Sequence, residues 1–292
     1  MRVTGNRLIE MSATATSANQ AKVATAAAEA SSGLRVTKPS DDPAAWMTAQ
    51  RASMRKTLAE GAASALNAGK ERLDLVDGAL AGIGEAVSQT RLLAVQGANA
   101  SYSPNDRKEI GLQVRALFES ALASANTRAG DGEYILAGSR STTLPFTPAG
   151  TYAGDADARQ LPATESIVAS STIAGSALTA ANGVDVLPLL DQVATALTNN
   201  DLTALQSLLG DLETAVQQVS LTRTRVGGVM HVVDAALTAN DDLDAHLTNT
   251  IANAVEADVI ESASNLAKAS QSLEASRTVT SHIVGLLDPR AS

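Results

Sequence analysis

Residues 31–46 read SSGLRVTKPSDDPAAW, and this stretch separates two long segments that contain no proline. Pro39 and Pro43 each fix φ at about −65°. Asp42 is suited to cap a helix whose first position is a proline. The stretch therefore predicts a rigid turn between two helices, and we expect its geometry to depend on Pro39, Asp41, Asp42 and Pro43.

The segment after this turn carries large apolar residues at coiled-coil spacing. They are Leu66, Leu73, Val76, Leu80, Ile83 and Val87. A second pattern keeps one heptad phase from residue 209 to residue 251, with polar interruptions at Arg223, Asn240 and Asp244. Two such long seams predict helices that pack side by side. A third, shorter helix is predicted to begin after Ser103, with Pro104 in its first turn.

The heptad phase slips by one position between residues 256 and 259, which predicts a hinge or domain boundary there. The new apolar row extends to the carboxyl end of the chain, and little of the chain remains to cover it. We expect these residues to form an assembly or chaperone interface: Val259, Leu266, Leu273, Ile283 and Leu287.

The amino-terminal arm is poor in large side chains. Between residues 12 and 32 only Val23 is a large aliphatic residue. Burial of a few methyl groups does not offset about 1–2 kcal/mol per residue of backbone ordering. We therefore expect this arm to become ordered only against neighbouring helices.

Residues between 130 and 188 have a different composition, rich in Gly, Thr, Ser and Pro and with three of the six aromatic residues. This composition predicts a small β-rich insert. The predicted fold is mainly α, with long helices from both chain ends packed together around that insert. Four segments are expected: an arm at 1–38 paired with an arm at 258–292, a bundle at 39–132 plus 189–257, and the insert at 133–188.

Four short sequences carry a resemblance to a known family. They are MRVT at residues 1–4, PSDDP at 39–43, YILAG at 134–138 and PF at 145–146. With these sequences the chain resembles the flagellin superfamily, and within it the hook-associated proteins of the hook-filament junction. The resemblance runs nearly end to end and is weakest from about residue 150 to residue 190.

The resemblance implies a structural subunit of the bacterial flagellum that self-assembles into a ring between hook and filament. Its partners would be the other hook-associated junction protein, flagellin or the filament cap, and a flagellar export chaperone. It would reach the extracellular flagellum through the type III apparatus, without a cleaved signal peptide. Filament flagellin is the alternative, and a cytoplasmic helical signalling rod is a third interpretation that gives no reason for the insert.

Composition argues against other classes of function. The net charge of −9 has the wrong sign for nucleic-acid binding. No window approaches the roughly 20 apolar residues of a membrane span. The chain has no cysteine, and its three histidines lack the spacing of a helical metal pair.

Two acidic stretches, at residues 240–244 and 154–157, are interpreted as a solvated helix face and a turn. Trp46 is interpreted as a packing anchor. We expect no enzymatic activity, no cofactor and no metal site.

Overall fold

The computed structural model describes residues 2–157, 160–162, 168–170 and 173–287, and helices dominate it. The fold is mainly α, as predicted. The helices are α1 (Arg2–Ser32), α2 (Pro43–Gly97), α3 (Pro104–Ala125), α4 (Val186–Thr198), α5 (Leu202–Val255) and α6 (Val259–Leu287).

The chain forms two compact units. One consists of residues 1–58 and 243–292, and the other consists of residues 59–242. We call them the terminal unit and the central unit. Helices α2 and α5 each contribute residues to both units. This division is coarser than the four segments expected from the sequence, which stay a prediction.

The core of the central unit contains the two predicted seams. Every member of the α2 row from Leu66 to Val87 is fully buried. On α5, one of the two heptad rows is buried throughout the central unit, at Leu212, Val219, Val226, Val233 and Asn240. The α2 seam is therefore confirmed, and the α5 seam is confirmed for this row; its second row is mostly half-buried and is exposed at Arg223.

Helix α3 begins as its sequence predicts. The Asp106 amide donates to Ser103 Oγ, and the Ser103 amide donates to the Asp106 carboxylate at 2.9 Å, which forms a capping box. Helix α3 packs against α4. No separate helix is predicted at α4, although most of it falls within the bundle segment expected at 189–257. Pro188 lies in its first turn, where a proline is tolerated because the amide groups there have no intrahelical acceptor.

The prediction of a β-rich insert at 133–188 is wrong. In the described part of that segment the only strands are β1 (Gln160–Pro162) and β2 (Val168–Ser170), an antiparallel pair of three residues each. The rest consists of turns, isolated bridges and two short 3-10 helices, Gly175–Leu178 and Ala180–Asn182.

In this segment, side chains form hydrogen bonds with main-chain groups that would be paired between strands in a sheet. The Phe146 amide donates to Asn126 Oδ1 and the Phe146 carbonyl accepts from Asn126 Nδ2, both at 3.0 Å. The buried Arg72 of α2 donates to Asp131, to Glu133 and, at 3.2 Å, to the carbonyl of Tyr134. Because these contacts satisfy polar groups that a sheet would otherwise pair, aromatic and β-branched composition alone overestimates the strand content.

Candidate assembly interface

The predicted turn begins where α1 ends. Gly33 has a φ of +69°, and its amide donates to the carbonyl of Glu29 at 2.9 Å. This left-handed conformation is costly for residues that carry a Cβ, so glycine is the favoured residue at this position. The chain then leaves the helix and reaches Val36, whose side chain is only 2% exposed.

The main chain of this turn is joined to the break between α5 and α6. The amide of Arg35 donates to the carbonyl of Val255 at 2.8 Å, and the amide of Ala257 donates to the carbonyl of Gly33 at 2.9 Å. Leu34 and Glu256 form an antiparallel bridge. The helix break lies at the heptad phase slip, and these bonds satisfy backbone groups that the break leaves without helical partners.

Arg35 adds a side-chain link to the same junction. Its guanidinium donates to the carbonyl of Ala254 at 2.9 Å and to the Asp42 carboxylate at 3.3 Å. It therefore connects the end of α5 to the residue that caps α2. Nothing in the sequence pattern distinguishes Arg35 except its position within the turn.

Asp41 and Asp42 both fix the backbone. Asp41 Oδ2 accepts hydrogen bonds from the amide and hydroxyl of Thr37 and from the amide of Lys38. The Asp42 carboxylate accepts from the amides of Ala44 and Ala45 in the first turn of α2. With Pro43 as the first residue of α2, Asp42 is therefore the helix cap that the sequence predicts.

These contacts keep both carboxylates ionised. For Asp41, desolvation acts to raise the pKa, but the hydrogen bonds from Thr37 and Lys38 outweigh it, so the pKa lies below its ordinary value. For Asp42, the amide of Ala45 is the main cause of a lowered pKa, and Arg35 contributes to the same shift. Each carboxylate thus accepts hydrogen bonds in its charged form.

Helices α1 and α6 pack against each other and run antiparallel. Thr16 Oγ1 lies 3.2 Å from Thr280 Oγ1, and Asn19, further along α1, donates to Ser276 and to the carbonyl of Ser272. The less exposed residues of α1 recur at heptad spacing and are mostly small: Ser12, Thr16, Asn19, Val23, Ala26 and Ala30. Such a seam brings the backbones close together but buries little apolar area.

The predicted carboxyl stripe divides between two environments. Leu266, Leu273 and Ile283 are half-buried and share a heptad row with Ser276 and Thr280, which contact α1. Val259 is seven residues before Leu266 in the same row, but it is 67% exposed. Leu287 is the last residue of α6, and its side chain lies outside the described residues.

The acidic stretches considered in the sequence act as hydrogen-bond partners within the chain. Asp244 pairs with Lys56 at 2.7 Å, and Asp155 accepts from the amide and hydroxyl of Ser139. The described residues contain no group of three or more His, Cys, Asp and Glu placed to hold a metal ion. None of the helices in the described ranges combines the length and apolar character needed to cross a membrane.

Comparison with known proteins agrees with this architecture. Residues 6–141 match the family model of the bacterial flagellin N-terminal helical region. We call this matching part of the chain the flagellin-type region. It includes most of α1, the turn, α2, α3 and the five residues YILAG at 134–138.

The similarity extends to hook-associated proteins. Flagellar hook-associated protein 3 of Escherichia coli is 30% identical over 145 residues, which are 49% of this chain and 46% of that protein. The matched regions span about half the length of the curated relatives. The resemblance to hook-associated proteins that the sequence motifs indicate is therefore confirmed, alongside the flagellin-type region.

Two solved structures show the same fold. Bacillus cereus FlgL superposes with a TM-score of 0.58 at 24% identity, covering 69% of this chain and 97% of that one. Flagellar hook-associated protein 3 of Legionella pneumophila gives a TM-score of 0.60 at 16% identity, covering 70% and 97%. At these identities the likeness establishes the fold.

Proposed function

We propose that this protein is a structural subunit of the bacterial flagellum that forms the junction ring between hook and filament. The observation that carries the proposal is the flagellin-type region together with the terminal helices α1 and α6, which pair through small side chains. The relatives named as hook-associated proteins support the same function. The proposal includes no catalytic step, cofactor or metal.

The terminal unit has the properties of a component that is completed by neighbours. Large apolar side chains are exposed on both arm helices: Leu8 and Met11 on α1, and Ile260, Val279 and Val284 on α6. A pair of helices with a seam of Ser, Thr, Asn and Ala buries too little apolar surface to compensate for the cost of ordering it. Contacts with other subunits supply the missing burial.

The partners follow from the same proposal. Copies of the chain contact one another in the ring, the other hook-associated junction protein lies on the hook side, and flagellin or the filament cap lies on the opposite side. Before assembly, an export chaperone covers α6 through Leu266, Leu273 and Ile283, and the type III apparatus exports the chain. This covering requires α6 to separate from α1, which a weakly apolar seam permits.

Filament flagellin is the second candidate, because the matched family model describes a region that flagellins share. The named relatives favour the junction protein. The third interpretation, a cytoplasmic signalling rod, has no support from these relatives.

Immunogold labelling of whole cells tests the proposal. A junction protein gives one cluster of gold at the end of each hook, and cells lacking the gene retain hooks but lose attached filaments. Label along the whole filament would identify the chain as flagellin instead. Label confined to the cytoplasm of flagellated cells would refute both functions.

A further inference from the structure

The first part of α2 carries two helix-packing seams on opposite faces. The inner one consists of Ala45, Ala49, Ala52 and Lys56, which are buried or half-buried. The outer one has the spacing i, i+4, i+7, i+11 and is exposed: Met47, Arg51, Met54 and Leu58. Because Met54 is 64% and Leu58 is 73% exposed, this outer seam is a helix-packing surface that no described part of the chain covers.

The outer seam is also basic. Residues 43–58 contain Arg51, Arg55 and Lys56 and no acidic residue, although the whole chain has a net charge of −9. Lys56 pairs with Asp244, whereas Arg51 and Arg55 extend from the exposed side of the helix. We call Met47, Arg51, Met54, Arg55 and Leu58 the basic stripe.

A complementary surface lies at the break between α5 and α6. Glu256, Asp258 and Glu261 are exposed there, together with Val259 and Ile260. Ile260 is 83% exposed, the highest value among the large apolar residues described. We call residues 256–261 the acidic patch.

The acidic patch has a fixed shape. Asp258 Oδ1 accepts from the amides of Ile260 and Glu261 and so caps α6, while Glu256 is held through its bridge with Leu34. Because these bonds restrain its backbone, the patch loses less conformational entropy when a partner docks than an unrestrained segment would lose. The apolar side chains of Val259 and Ile260 and the negative charge of the acidic patch are complementary to the apolar and positively charged side chains of the basic stripe.

We infer that the basic stripe of one copy of this chain binds the acidic patch of a second copy. The inference rests on the proposed ring and identifies the surfaces that hold neighbouring subunits together. Ile260 and Val259 pack among Met47, Met54 and Leu58, while Glu256 and Glu261 pair with Arg51 and Arg55. Since the two surfaces differ, each copy can use one surface for each of two neighbours, as a ring requires.

Introduced cysteines test the contact directly, because the natural chain has none. Two full-length variants, Met54→Cys and Ile260→Cys, are purified, mixed and oxidised, and disulfide dimers are measured on a non-reducing gel. The geometry of a disulfide requires the two Cα atoms to lie within about 7 Å. The mixture should therefore give at least about tenfold more dimer than a matched mixture of Met54→Cys with Leu92→Cys, an exposed residue of the central unit. Equal yields from both mixtures would overturn the inference.

Charge reversal provides the second test. Arg51→Glu with Arg55→Glu, or Glu256→Lys with Glu261→Lys, should each weaken self-association in sedimentation velocity by at least about tenfold. Mixing the two variants restores opposite charges at the interface and should restore association. The control, Lys108→Glu with Arg225→Glu, makes the same charge change at exposed residues of the central unit and should have little effect.

Two outcomes of this experiment would contradict the inference: a wild-type chain that stays monomeric over the whole concentration series, or a control that weakens association as much as the stripe variant does. The proposed function is judged separately by immunogold labelling. Gold at the hook end together with unchanged association of the charge-reversed variants would retain the junction function and reject these surfaces. Gold along the filament would reject the junction function whatever the association data show.

Discussion

Leu34 and Glu256 lie opposite each other in an antiparallel bridge, although they come from near the two ends of the chain. The hydrogen bonds from Arg35 to Val255 and from Ala257 to Gly33 flank this bridge. The turn after α1 and the break before α6 therefore form one structural element. Any change that prevents Gly33 from adopting its left-handed conformation should disturb both ends of the chain together.

The variant Gly33→Ala should destabilise the terminal unit by about 1 kcal/mol, because its φ of +69° is unfavourable for alanine. Apart from Gly33 and its two neighbours in the chain, no heavy atom lies within 4 Å of the Cβ position, so the backbone conformation alone causes the loss. Hydrogen exchange of the Arg35 and Ala257 amides should become faster. Gly61→Ala is the control: it also has open space but lies within α2, where alanine should stabilise by about 0.5–1 kcal/mol. Similar effects of the two variants would contradict this account.

Arg72→Ala should destabilise the central unit by about 1–3 kcal/mol, because it leaves polar partners of a buried guanidinium unsatisfied. We do not expect the loss of about 3–5 kcal/mol that follows when a fully buried ion pair is broken, because the Asp131 side chain is half exposed. Urea denaturation followed by circular dichroism measures the loss. The control is Arg91→Ala, whose pair with Glu213 is exposed on both sides and should contribute less than about 1 kcal/mol. An equal loss in both variants would show that Arg72 has no special role.

Tyr152 makes the central unit sensitive to alkaline pH. Desolvation and the nearby Asp155 charge raise the pKa of its hydroxyl from 10.0 to about 12. The hydroxyl donates to main-chain carbonyls, including that of Asp155 at 2.6 Å. Between pH 10 and pH 12 the unfolded chain loses this proton while the folded chain keeps it, so stability should fall as the pH rises through this window.

The measurement is the midpoint of urea denaturation across that pH range. Tyr152→Phe should have a lower midpoint at neutral pH because it lacks the hydroxyl, and it should show a shallower decline above pH 10. A variant with an unchanged alkaline decline would assign the pH dependence to other groups.

Exchange of Leu266 and Leu273 for Ser tests the proposed chaperone surface. Full burial of a leucine side chain contributes about 1.5–3 kcal/mol, so the loss of two anchors should weaken a chaperone complex by more than about tenfold. Titration calorimetry with the cognate flagellar chaperone measures this affinity. Val279→Ser changes an exposed residue outside the α1-facing row of α6 and is the control. Unchanged affinity with a lowered melting temperature would show that these leucines serve only the packing of α6 on α1.

The local sequence determined the buried rows of the long helices and the starting points of α2 and α3. Heptad spacing located the buried row from Leu66 to Val87 on α2, and the Ser103-Pro104 pair located the start of α3. Capping residues and apolar periodicity act within a few turns of one helix, so they can be recognised without knowledge of the rest of the fold. The same signals placed Asp42 and Pro43 at the start of α2.

The tertiary structure decided which distant groups meet. Arg72 could not be assigned to the loop of Asp131 and Glu133 from spacing, and Asn126 replaces a strand partner for Phe146. The sequence predicts that the two arms pair, whereas their register, with Thr16 beside Thr280 and Asn19 beside Ser276, comes from the structure. Periodicity shows which face of a helix is apolar. Which element packs against that face depends on the fold of the whole chain.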